Sequence, residues 1–126
     1  MNQKKSTIFC DIDGTIFKYR KFETYKTSIP MPVPNVVDML AKLYNNGHCI
    51  VLTTARPENL RSHTICELNI YNIQYHQLVM GIERGTRYLI NDKEDININR
   101  AIGINVARDN GFSKKDMEIL SNIIHN

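Results

Sequence analysis

The sequence contains no apolar run approaching the roughly 20 residues needed to span a membrane as a helix. It has no CxxC pair, no internal repeat, no low-complexity tract and no obvious linker. Its first residues, MNQKKSTIF, are basic but carry no separate apolar signal core, because the apolar residues run directly into acids. These absences argue against a membrane protein, a zinc ribbon and a secreted disulfide scaffold, and a cytoplasmic location is expected. The three cysteines, Cys10, Cys49 and Cys66, are read as small residues in a reducing compartment. His63 and Cys66 can share a helix face, but no second ligand pair stands near them, so no zinc site is expected. A strong charge of either sign is also missing. The net charge of +3 suits an anionic small substrate or RNA and establishes neither. With no extended basic stripe and no series of stacking aromatics, a nucleic-acid partner is not expected.

What is present is an ordinary globular composition, 42% hydrophobic and 23% charged over 126 residues, expected to form one domain, 1–126, around one core. STIFCDI (6–12) reads as a short strand buried on both faces. A polar, basic and aromatic stretch follows, with Pro30, Pro32 and Pro34 at alternate positions, and residues 16–33 are expected to form a flap. Pro34 suits the first turn of a helix carrying Val36, Val37, Leu40, Leu43 and Tyr44, with Gly47 as its C-terminal cap. HCIVLTT (48–54) is a second strand and ARPENLRSHTICELNI (55–70) a helix. YHQLVM (75–80), RYLIND (87–92) and AIGINVA (101–107) are expected as further strands. The last helix opens at Ser113, with Asp116 forming a capping box. Strands alternating with helices imply an α/β fold with a mostly parallel sheet and right-handed crossovers. In such sheets the working crevice lies beyond the carboxyl ends of the strands. Asp11 and Asp13, Thr53 and Thr54, and Asn91 and Asp92 all fall at such ends.

Asp11 and Asp13 stand one residue apart where an apolar strand finishes. Two carboxylates in one small space repel unless a cation lies between them or one holds a proton. A hard cation such as Mg²⁺ takes oxygen ligands and needs only one or two carboxylates beside its waters and a phosphate oxygen. Asp92 could add a carboxylate from another strand, and Asn91 a neutral oxygen. Gly14 permits a sharp exit from the strand and close approach of backbone N–H groups to an anion. Thr15 and Thr54 offer hydroxyls, and a helix N-terminus after Thr54 would favour negative charge. A carboxylate held there can attack phosphorus while a protonated neighbour serves the leaving oxygen. The competing reading of D-x-D-G is a simple acidic turn. The buried strand before it and the two further polar strand ends weigh against that.

The DIDGT segment (11–15) and VLTTARP (51–57) resemble the first and second motifs of the haloacid dehalogenase superfamily. The resemblance runs from Ile8 to about Asn110. It implies a Rossmann-like three-layer α/β/α sandwich and a Mg²⁺-dependent phosphatase working through an aspartyl-phosphate. By resemblance Asp11 is the nucleophile, and Asp13 the general acid and base, with its backbone carbonyl also on the metal. Thr54, or else Thr53, holds the phosphoryl oxygen. The charge-balancing residue of the third motif is Arg84, with Arg87 and Lys93 as other candidates. The fourth motif departs from the family pattern, reading INDKED, with Asn91 where an Asp is usual. Asp92 then takes the metal, with Asp95 behind it or capping a helix. Neither gap between motifs holds a cap domain. Lys18, Tyr19, Arg20, Lys21, Phe22 and Tyr25 of the flap are expected to face the substrate, a small phosphorylated metabolite such as a sugar phosphate. A homo-oligomer is possible. A nucleotide or nucleic-acid-end phosphatase is the enzymatic rival, and a degenerate, non-catalytic phosphate-binding domain the rival of another class.

Overall fold

A computed structural model describes residues 4–125. The side chains of Phe22 and His125 lie outside the described residues. Three strands, β1 (Thr7–Asp11), β2 (Cys49–Thr53) and β3 (Gln77–Val79), form a parallel sheet in the order β1-β2-β3. Asp11 pairs with Thr53 and Thr53 with Val79, so the carboxyl ends of the strands are level. Ile50, Val51 and Leu52 of β2 are all buried, as a middle strand covered on both faces requires.

Helix α1 (Pro34–Asn45) carries Pro34 at its first position and buries Val36, Met39, Leu40 and Leu43. Its end is a Schellman motif: Gly47 N–H donates to Tyr44 O and His48 N–H to Leu43 O, with Gly47 at φ +91°. His48 is itself buried. Its Nδ1 accepts from Ser6 N–H and its Nε2 donates to Ile123 O, tying the start of β1 to the last helix. That helix, α3 (Lys114–His125), opens on the expected box, with Asp116 N–H donating to Ser113 Oγ and Ser113 N–H to Asp116 Oδ2.

The second helix starts later than its sequence suggests. Pro57 is extended, a single 3-10 turn covers Glu58–Leu60, and α2 runs Arg61–Ile70. No helix N-terminus therefore follows directly on Thr54. The flap is tied at its base by Lys18 N–H to Met31 O and Val33 N–H to Ile16 O.

The largest correction concerns the two expected strands at 87–92 and 101–107. Neither forms. Tyr88 and Ile90 are 86% and 93% exposed, and residues 83–107 leave the sheet as irregular chain. An apolar strand pattern needs a neighbouring edge, and residues 87–92 and 101–107 pair with none.

Candidate active site

The exit from β1 is shaped by Ile12, whose carbonyl accepts the N–H groups of Thr15, Ile16 and Phe17. Gly14 sits at φ +89°, a conformation side-chain-bearing residues rarely adopt. Its N–H donates to Phe17 O, so the N–H groups of Gly14 and Thr15 serve the loop rather than cradling an anion. What the turn achieves is to present Asp11 and Asp13 side by side on one cavity of about 750 Å³, which Thr15, Thr53, Thr54, Arg84 and Arg87 also line.

Asp11 is held from two sides. Thr15 Oγ1 donates to Oδ2 and Arg87 Nη1 to Oδ1, each at 3.0 Å. Asp13 is gripped by Arg56, whose Nε and Nη2 reach its two oxygens, and Tyr25 OH donates to Oδ2 at 2.9 Å. The Arg56 guanidinium is completely buried, and its remaining nitrogen donates to Glu67 and Thr64. Burial works against its charge, but Asp13 and Glu67 together more than offset that and push its pKa up. Burial also acts on Glu67, and there Arg20 and Arg56 outweigh it, so the Glu67 carboxyl lies below its ordinary value. Tyr25 is pushed up to about 12, first by burial and then by the Asp13 charge. Its phenol thus stays a proton donor to Asp13 at neutral pH.

Thr54 is almost fully buried. Its N–H donates to Val79 O, and its hydroxyl oxygen accepts Arg56 N–H at 3.1 Å. Residues 108 and 109 close the other side. The Arg108 guanidinium stacks on Tyr19 at 4.1 Å, and its aliphatic stem lies over Gly14. Asp109, at φ +68°, donates its N–H to Gly14 O and accepts Tyr19 N–H at 2.6 Å. Asp109 tolerates that left-handed backbone better than most residues. Its two bonds, which join the flap to the aspartate loop, hold it there.

Asn91 and Asp92 do not line this cavity. Asp92 is exposed and accepts from Arg100, while Asn91 turns its amide to Asp92. Lys93 is exposed as well, and Asp95 caps a local turn through Asn97 N–H rather than a helix. Sequence reasoning missed the structural roles of Arg56, Glu67, Arg108 and Asp109. Arg56 could have been flagged by its place in TTAR. Nothing local distinguishes the other three.

Residues 8–82 match the family model of haloacid dehalogenase-like hydrolase. The chain belongs to that family. A search of curated proteins found no match. Among solved structures, a chain of the Pnkp1/Rnl/Hen1 complex aligns with 66% of this chain at 22% identity and a TM-score of 0.56. This protein spans only 30% of the length of that chain, and the likeness is one of fold. A structural-genomics target from Vibrio cholerae covers 95% of this chain and 97% of its own, at 16% identity and a TM-score of 0.49.

Haloacid dehalogenase-like hydrolases generally use Mg²⁺. The cavity of a single chain does not fit it. Both Asp11 oxygens accept hydrogen bonds, one of them from a cation, and both Asp13 oxygens accept from Arg56. Among the described residues no group of three His, Cys, Asp or Glu side chains could hold a metal ion. No helix of the described residues is long and apolar enough to cross a membrane.

Proposed function

We propose that the hydrolase is a phosphatase in which Asp11 attacks phosphorus and forms an aspartyl-phosphate, acting on a small phosphorylated metabolite such as a sugar phosphate. The observation that carries this reading is the position of Asp11, at the carboxyl end of the edge strand and beside Asp13 in an arginine-lined cavity. In the first step a bond forms from an Asp11 oxygen to phosphorus, the ester P–O bond breaks, and the leaving oxygen takes a proton from Asp13. In the second, Asp13 takes a proton from water, the water oxygen attacks phosphorus, and the acyl P–O bond breaks to restore Asp11. Arg84 and Arg87 offset phosphoryl charge, and Thr54 with Thr53 holds a phosphoryl oxygen. For Asp13 to donate, it must arrive protonated and turn from Arg56. Tyr25 keeps its own proton throughout. Dependence on Mg²⁺ belongs to this proposal, with ligands beyond Asp11 coming from outside the single-chain cavity. A cytosolic setting fits the three free cysteines.

One observation favours a non-catalytic phosphate-binding domain instead, namely that Arg87 occupies an oxygen of the nucleophile. The readings separate in a phosphatase screen with Mg²⁺ over a panel of phosphate esters, run beside Asp11→Asn. The expected result is phosphate release by the native chain and none by the variant, with unchanged circular dichroism. Full activity in Asp11→Asn removes the nucleophile assignment.

A further inference from the structure

The hydrogen-bonding edge of β1 that faces away from β2 has no strand beside it among the described residues. The main cavity runs along that edge. Ile8, Phe9, Cys10 and Asp11 line one side and Gly103, Ile104, Asn105 and Val106 the other, over an apolar floor of Leu40, Leu43, Phe112 and Leu120. Helices that present such a floor ordinarily carry a strand above it. An open edge and an apolar floor together define a vacant strand position, about 4.8 Å from β1.

The same chain carries an unused strand. Tyr88, Leu89 and Ile90 are 86%, 58% and 93% exposed, with Ile96, Ile98 and Ile102 exposed beyond them. Exposed apolar side chains concentrated in one segment in this way mark a contact. Within one chain this segment does not form that strand, although Leu89 lines the cavity. A parallel strand that delivers its carboxyl end to Asp11 must begin beside Thr7. Here the Arg87 side chain, at the start of the segment, reaches Asp11 Oδ1 at 3.0 Å, the end of β1 opposite Thr7. Residues 88–92 pair with no strand of the sheet, and Asp92 lies outside the cavity.

We propose that two copies of this chain exchange these arms, residues 88–92 of each filling the strand position beside β1 of the other and carrying Asp92 to the other copy's Asp11. The exchange is self-complementary and closes as a twofold dimer. It supplies the strand the sheet lacks, covers Tyr88 and Ile90, and sets the Asp92 carboxylate beside Asp11 and Asp13. The role of Asp92 rests on the phosphatase reading; the exchange of strands does not.

Light scattering on the eluting native chain tests the exchange without reference to turnover. A dimer is expected, and Ile90→Asp should be monomeric with unchanged circular dichroism. A monomeric native chain, or an Ile90→Asp chain that remains dimeric, overturns the exchange. Once native activity is established, Asp11→Asn and Asp92→Asn chains, each inactive alone, are unfolded together and refolded. Random pairing with one intact site in each mixed dimer should restore about a quarter of native activity. Mixed dimers without activity overturn the delivery of Asp92.

Discussion

Arg56 holds Asp13 by both oxygens, Nε to Oδ2 at 2.9 Å and Nη2 to Oδ1 at 2.8 Å, and extends its remaining nitrogen to Glu67 Oε1 at 2.8 Å. One buried cation thus fixes the second acid of the aspartate loop and ties it to α2. Removing one member of such a cluster leaves the others as uncompensated charges, which costs more than the contacts are worth in isolation. Arg56→Met should lower unfolding stability by about 3–5 kcal/mol, measured by urea denaturation. A loss under 1 kcal/mol would contradict the account.

Stability should fall at both ends of the pH range. Glu67 is depressed below its ordinary 4.5, so its contribution is complete above that pH and is lost as pH falls through the folded value. Tyr25 is raised from 10.0 to about 12, so its contribution is complete below pH 10 and is lost between there and pH 12. Thermal melts of Glu67→Gln and Tyr25→Phe should be flatter than those of the native chain on the acid and alkaline limbs respectively.

The sequence made the central strand, the first helix with its glycine cap, and the box at Ser113 legible, because each rests on neighbouring residues. The pairing of Asp13 with Arg56 and Glu67 was not, since it joins three separate segments by contacts that leave no periodic trace. Residues 88–90 show a different limit. Their apolar run is a requirement for a partner edge, and a strand pattern carries no information about which chain provides that edge.

Burial, aided by the Asp11 charge, pushes the Cys10 thiol up to about 12, whereas Cys66 is exposed. Only the thiolate reacts with alkylating agents. Iodoacetamide at pH 8 should label Cys66 more than about a hundredfold faster than Cys10, read by peptide mass spectrometry. Comparable rates would mean that β1 is not packed as described.

Arg108 stacks on Tyr19 and lines the same cavity as the two aspartates. Arg108→Gln should raise KM about tenfold with kcat little changed, the pattern of a contact made equally in ground and transition states. An equal fall in kcat would give it a part in the chemistry.

Asp13→Asn should slow the hydrolysis of alkyl phosphates far more than that of aryl phosphates, whose leaving oxygens need no proton. Equal losses on both would count against Asp13 as the acid.

The proposed covalent intermediate is open to direct chemical trapping. Borohydride added during turnover reduces an acyl phosphate to an alcohol, which would convert Asp11 to homoserine, located by peptide mass spectrometry. Homoserine at position 11, absent without substrate, is the predicted result. Unmodified Asp11 in an enzyme that is releasing phosphate would contradict it.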